Sequence, residues 1–237
     1  MQLFYHPNIS EATREKAFDK EESRHIVKVL RMKRGDTFAI TNGRGSIFTA
    51  EILSADPKCC TVTIHSEKKH PPLPYRLHLA VAPTKLNDRY EWFLEKATEI
   101  GISEITPIIC HHSERKVIKP ERYEKIIQSA IKQSLKAYLP VLNEAVSFKD
   151  FLDAEKPSKN LKYIAHCEPT ERKSFKSVLP PNEDVTLLIG PEGDFSSEEI
   201  ERAKAYGYLP VLLGHSRLRT ETAAIVACHS LAFVNEC

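Results

Sequence analysis

Two short stretches hold the residue types best suited to chemistry. The first is Leu188-Ile189-Gly190-Pro191-Glu192-Gly193, continuing into Asp194-Phe195-Ser196. An apolar run, Val185–Ile189, ends there in two glycines that bracket Pro-Glu. Glycine lets backbone approach a ligand with no Cβ in the way, and proline stiffens the loop. The second is Leu213-Gly214-His215-Ser216-Arg217-Leu218-Arg219-Thr220-Glu221, followed by an apolar segment over 222–233. Arg217 and Arg219 stand between a strand end and that segment, where two guanidinium groups can hold an anion. Thr220 has the right type to be the N-cap of the following helix. Plain readings stay open for both stretches. The first is also an ordinary strand-turn-helix connection, with Ser196 and Glu199 spaced as a capping box. The two arginines are also compatible with simple surface charge.

Other signatures are absent or weak. Gly43 and Gly45 lie in Asn42-Gly43-Arg44-Gly45, a hairpin signal rather than a strand-to-helix turn. No G-x-G-x-x-G or G-K-[ST] stretch occurs, which disfavours a dinucleotide site or a phosphate loop. The chain has 6 cysteines, none in a C-x-x-C pair. Cys110-His111-His112 is expected to be a buried thiol beside surface histidines, because adjacent strand residues point to opposite faces and cannot easily share one ion. No metal is expected.

The 237 residues suit one large domain or two modest ones, and 41% hydrophobic with 28% charged residues is the balance of a globular protein. No apolar run approaches the length of a membrane span, and residues 1–7 lack the plan of a signal peptide, so a cytoplasmic protein is expected. The formal net charge is +2. Through residue 72 there are 12 Lys+Arg against 9 Asp+Glu, and beyond it 22 against 23. Within the first part, Arg24, Lys28, Arg31, Lys33 and Arg34 have no acidic residue among them. Such clustering can hold phosphates, and is also compatible with a solvated face.

The elements that must position these residues fall into two parts. Residues 1–72 read as mostly β: 37–41, the hairpin signal, 47–53, then 60–65, where Cys60, Val62 and Ile64 alternate with polar partners. A small barrel fits. A short helix is expected over 21–30, with Ile26, Val29 and Leu30 inward. Three prolines in four positions, Pro71, Pro72 and Pro74, mark the boundary. Residues 73–237 alternate strand and helix. Strands are expected at Leu77, Leu79 and Val81, over 105–110, over 161–167, at Val185–Ile189 and over 211–213. Helices are expected over 89–100, closed by Gly101, and from Pro120, with Tyr123, Ile127, Ala130, Ser134 and Tyr138 on one side. This alternation argues for an α/β fold with a parallel sheet covered on both faces. In such sheets ligands bind outside the carboxyl ends of the strands, where both stretches lie.

Taken in order, these residues resemble the RsmE-type methyltransferases of the SPOUT superfamily. Ile189 to Gly193, and Leu213-Gly214 with Leu218 to Ala223, look like the family's paired C-terminal motifs. His25 with Val29-Leu30-Arg31 and Gly35-Asp36 is similar to its N-terminal signature. Lys85, Arg89, Glu91-Trp92, Lys96 to Glu99 and Gly101 look like its central one, and Ser113-Glu114-Arg115 and Gln133-Ser134 also fit. There are departures: Asp194 stands for a third glycine, His215-Ser216-Arg217 for a Pro-Arg-aliphatic stretch, and Lys132 and Leu135-Lys136 for a Glu and a Gly-Arg.

The resemblance implies a PUA-like β-barrel over 1–72 and a trefoil-knot methyltransferase domain over 73–237. It implies a homodimer that uses S-adenosylmethionine to methylate N3 of a uridine in 16S ribosomal RNA, within the 30S subunit. The cofactor would be held by Leu188, Ile189, Gly190, Pro191, Glu192, Gly193, Leu213, Gly214, Leu218 and Thr220. RNA would be met by Arg24, His25, Lys28, Arg31, Lys33, Lys85, Arg89 and Arg115. Arg219 would stabilise the charge that develops on the uracil oxygens, with Glu221 orienting it; no general base is assigned. Two readings of other classes remain: a binding protein with a non-catalytic knot, and a metabolic α/β enzyme, which the missing nucleotide fingerprints disfavour.

Overall fold

The computed structural model describes residues 2–154 and 159–236. The chain forms two compact units: Met1–Pro72 together with Ile131–Leu139, and Leu73–Ala130 together with Pro140–Cys237. Sequence pattern alone groups 131–139 with the second part, because it continues a helix.

The strands of the first unit are β1 (Leu3–Tyr5), β2 (Glu15–Ala17), β3 (Thr37–Thr41), β4 (Ser46–Ser54) and β5 (Thr61–Lys69), paired in the order β1-β3-β4-β5-β2. Only β1 and β3 run parallel. Along β4, Phe48, Ala50 and Ile52 are buried while Thr49 is exposed and Ile47 and Glu51 are half-buried, the period of a strand with one face in the core. The turn between β3 and β4 has Gly43 at φ 72° and Gly45 at φ 96°, backbone that favours glycine. This turn holds the late segment: Leu139 N donates to Gly43 O at 2.9 Å, and Gly45 N to Ala137 O at 3.0 Å.

The short helix divides. Asp19 caps α1 (Lys20–Arg24), and a π turn follows over His25–Val29, with Leu30 N donating to His25 O at 2.9 Å. The wider turn shifts the register. Ile26 is buried as expected and Leu30, half-buried, packs against the same core, but Val29 faces outward at 67% exposure, which corrects its inward placement.

The second unit has strands β6 (Leu77–Val81), β7 (Glu104–Ile109), β8 (Val141–Leu142), β9 (Val146–Ser147), β10 (Leu161–Ala165), β11 (Lys173–Ser174), β12 (Val185–Ile189) and β13 (Leu209–Leu212). They pair in the order β11-β13-β10-β12-β6-β7-β8, with β9 also on β7, and every pairing is parallel. The helices are α2 (Asn87–Ile100), α3 (Pro120–Gln133), α4 (Phe148–Ala154), α5 (Phe175–Val178), α6 (Ser197–Ala205) and α7 (Thr220–Asn235). β12 is buried along its whole length, as a central strand of a covered parallel sheet must be. Helix α7 packs on α2, β6 and β12. Gly101, at φ 137°, stops α2 as expected. Helix α3 ends at Gln133, and Leu135 takes φ 56°. Ser134 and Tyr138 therefore lie beyond the helix, off the face where Tyr123, Ile127 and Ala130 are buried.

Among the described residues no helix is long and apolar enough to cross a membrane. Cys59, Cys60, Cys110, Cys167 and Cys228 are free thiols, and Cys237 lies outside the described residues.

Candidate functional site

Strands β12, β10 and β13 are parallel neighbours, so their carboxyl ends lie side by side and three loops leave the sheet together. Two of them are the stretches chosen from sequence. The third follows β10 and begins His166-Cys167-Glu168. The same strand-end rule applied to the apolar run at 161–165 would have found it.

The loops enclose two clefts that share walls. The larger, of about 530 Å³, is lined by 165–168, Arg172, Asp194, 211–218 and Ala223. The smaller, of about 250 Å³, is lined by Ala165, Cys167, 189–192, Asp194, 217–220 and Ala223. Of the proposed cofactor contacts, Ile189, Gly190, Pro191, Glu192, Leu213, Gly214, Leu218 and Thr220 are on these walls. Leu188 lies in the core, and Gly193 lies against His112.

One bond ties the two stretches together. Thr220 Oγ1 donates to Gly190 O at 3.0 Å, from a side chain 5% exposed. This corrects the capping expectation. Arg219 is the N-cap of α7 and makes no side-chain cap bond, while Thr220 is the first helical residue and spends its hydroxyl across the sheet. The Ser196–Glu199 capping box of α6 forms as expected, with both reciprocal bonds present.

Asp194 explains its own departure from glycine. It sits at φ 64°, the left-handed region, which asparagine and aspartate tolerate better than other side chains. Its carboxylate accepts from Cys167 N at 2.6 Å and from Phe195 N at 2.9 Å, which fastens the β10 loop to the β12 loop. His112 Nδ1 donates to Asp194 O at 3.1 Å, and His111 N donates to Glu199 Oε1 at 2.9 Å. The Cys110 thiol is buried, and desolvation pushes its pKa far above the ordinary range. Cys110-His111-His112 is thus a structural corner, and the described residues hold no group of metal-ligating side chains.

The side chain of Arg219 is exposed and makes no hydrogen bond or ion pair with any described residue, while its carbonyl accepts from Ala223 N at 2.8 Å. It stands at the amino end of α7, where the helix dipole adds to its positive field and favours an anion. Glu221 is 7% exposed, its Oε1 is 3.9 Å from Arg89 Nε, and its Oε2 is buried without a partner. A further open pocket of about 630 Å³ is lined by Asp88, Arg89, Trp92, Arg219, Glu221 and Thr222. Trp92, 45% exposed in it, was singled out only as part of a motif.

The proposed RNA contacts divide by unit. Arg24, at the end of α1, and His25, Lys28, Arg31 and Lys33, on or just after the π turn of the first unit, are all exposed. None of the four Lys and Arg side chains forms an ion pair with a described residue, and His25 is 4.0 Å from Glu22. In the second unit Lys85 N donates to Glu192 Oε1 at 2.9 Å, and its ammonium pairs with Glu114 at 2.7 Å. Arg115 donates to the carbonyls of Thr84 and Lys85 at 3.0 and 2.8 Å, so its guanidinium braces the loop that Lys85 occupies.

The chain is similar to known proteins over most of its length. A family model described as an RNA methyltransferase domain matches residues 71–232, and one described as an RNA methyltransferase PUA domain matches residues 18–64. The ribosomal RNA small subunit methyltransferase E of Rickettsia conorii is 32% identical over 207 residues, covering 86% of this chain and 83% of its own. A crystal structure of a protein from Porphyromonas gingivalis, described as a probable rRNA-methyltransferase, is 42% identical with a TM-score of 0.92, covering 100% of this chain and 99% of that one. A methyltransferase of Legionella pneumophila, solved with bound SAM, is 34% identical with a TM-score of 0.86, covering 98% and 97%.

Proposed function

Because the chain belongs to the RsmE family of RNA methyltransferases, we propose that it transfers a methyl group from S-adenosylmethionine to N3 of a uridine in 16S ribosomal RNA of the small subunit. The observation that carries this reading is the three-loop cleft at the carboxyl ends of β10, β12 and β13, with Arg219 unpaired at its rim. The residues present fit the cofactor. The cleft volumes suit a nucleoside-sized ligand, the walls supply backbone from both glycine loops, and buried polar atoms of His166 and Glu192 are left without partners.

The cofactor supplies a methyl group already activated on a sulfonium sulfur. The rest falls to the protein. Uracil N3 is a weakly acidic imide and becomes a nucleophile only as its proton leaves, with negative charge spreading onto O2 and O4. A fixed guanidinium beside those oxygens stabilises that charge, and Arg219 has the freedom and the local field to do so. Glu221 is buried in the first turn of α7 and lies 3.9 Å from Arg89 rather than on Arg219, so it does not hold that guanidinium in this structure. Isothermal calorimetry and methylation mapping test the reading together. The protein should bind S-adenosylmethionine and its demethylated product but not NAD, and ribosomal RNA from cells lacking it should miss one N3-methyluridine in 16S. Tight NAD binding with no response to the methyl donor would sink it.

The same reading has the second unit tied as the family's trefoil knot, and the protein working in the cytoplasm as a homodimer through α7. Phe233 is 64% exposed on that helix and Trp92 45% exposed on α2, which packs against it, and a second copy would cover both side chains. Sedimentation should give twice the chain mass at micromolar concentration; a monomer throughout would remove the dimer.

RNA recruitment is assigned to the first unit, through phosphates. Changing Arg31 and Lys33 to alanine should weaken RNA binding and flatten its salt dependence by roughly one unit of log-log slope per lost phosphate contact. Cofactor affinity should stay as it was. An unchanged slope would mean that the cluster is only a solvated face.

A further inference from the structure

His166 follows the last residue of β10, at the carboxyl edge of the parallel sheet. It is 5% exposed, and neither Nδ1 nor Nε2 has a hydrogen-bond partner among the described residues. It also lines the larger cleft. Buried polar groups in folded proteins almost always find a partner, and a neutral imidazole offers one donor and one acceptor. This ring spends neither. Its backbone carbonyl accepts from Arg172 Nη1 at 2.6 Å, so the residue is anchored through its main chain while its side chain holds nothing.

We infer that His166 recognises the adenosine part of the cofactor through a side-chain hydrogen bond from an uncharged imidazole; this rests on the methyl-transfer reading above. The distribution of charge along the cleft selects adenosine over the amino-acid end. The amino-acid end is a zwitterion, which ionic side chains meet best, and the charged cleft residues Glu168, Arg172, Asp194 and Arg217 are half-buried or exposed. In the larger cleft the buried polar side chain without a partner is the neutral one, matched to hydroxyls or to a purine edge, whereas the buried oxygen of Glu192 lies on the smaller cleft. Both ring nitrogens are shielded from water, so the ring turns toward the cleft as the contact forms. Burial lowers the His166 pKa below the ordinary histidine value; Arg172 and Lys204 act in the same direction, and Asp194 and Glu168 oppose it. The ring is therefore neutral at pH 7.

Calorimetry with S-adenosylhomocysteine and with 5′-methylthioadenosine, which lacks the amino-acid end, tests the inference. His166→Ala should weaken both ligands by the same factor, roughly tenfold, the size of one hydrogen bond. Of His166→Asn and His166→Gln, which keep an uncharged donor and acceptor, one should restore most of the affinity. Wild-type affinity should fall at acid pH, below the ordinary histidine range, because protonation of the ring competes with the contact, and the restoring variant should not follow it. Wild-type affinity for both ligands in His166→Ala would overturn the inference, and so would a loss confined to S-adenosylhomocysteine. Imidazole ¹⁵N NMR on the wild-type protein needs no variant: S-adenosylhomocysteine should shift the His166 ring resonances. If other residues respond and that ring does not, the inference falls while the methyl-transfer reading stands. If the wild-type protein binds neither ligand, both fall.

Discussion

Replacing Arg219 by alanine is expected to lower methyl transfer about 100- to 1000-fold while cofactor affinity and melting temperature stay near wild type. The side chain is exposed and makes no bond to any described residue, so its removal leaves no buried group unpaired. The loss should appear in kcat, because charge on the uracil oxygens develops only as N3 gives up its proton. Arg219→Lys should recover little, since a point charge cannot span two oxygens as a planar guanidinium can. The assay should use 30S subunits from cells lacking the enzyme, with mass spectrometry locating the methyl group. Full activity in Arg219→Ala would show that the arginine is not catalytic. A methyl group on ribose, or on a base other than uracil, would show that the chemistry assigned here is wrong.

The second large effect concerns Gly214. A Cβ built there meets nothing within 4 Å, whereas one at Gly190 would sit 3.1 Å from two Phe195 ring carbons and 3.2 Å from Phe195 N. The two glycines should therefore answer differently. Gly190→Ala should cost about 1–3 kcal/mol of stability, because backbone cannot give way as a flexible side chain can. Gly214→Val should leave stability within about 0.5 kcal/mol, as for other exposed positions. Gly214 lines the larger cleft, so the added methyl groups would enter the space proposed above for the cofactor. A clash of about 3 kcal/mol corresponds to about 100-fold weaker binding of S-adenosylhomocysteine. Normal affinity in Gly214→Val would move the cofactor away from this loop.

Much of the site was legible because its signals are local. The Ser196–Glu199 box formed as the spacing required, since a capping box needs only four consecutive residues. Asp194 could be marked as a departure, but not explained. Its left-handed φ and its hold on Cys167 N depend on where the β10 loop lies, 27 residues away in sequence. The loop at His166 was passed over because the expected strand ran over 161–167 and so took in His166, whereas β10 ends at Ala165. Val29 and Tyr138 were misplaced for a related reason. Each follows the point where a regular helix stops being regular, and a 3.6-residue period carried past a π turn or a helix end puts side chains on the wrong face.

The sequence by itself determined the two-part organisation at the proline-rich boundary, the strand-helix alternation, the identity of the two glycine loops and the family they resemble. Those follow from residue type and short periods, which act over one or two turns of chain. Only the tertiary structure decided which strands are neighbours, and so which loops share a cleft. It placed β10 between β12 and β13, brought Thr220 to the carbonyl of Gly190, grouped 131–139 with the first unit, and left His166 buried with nothing to bond. Strand order is set by the packing of a whole sheet against its helices, an energy shared among many side chains, and no short stretch of sequence encodes it.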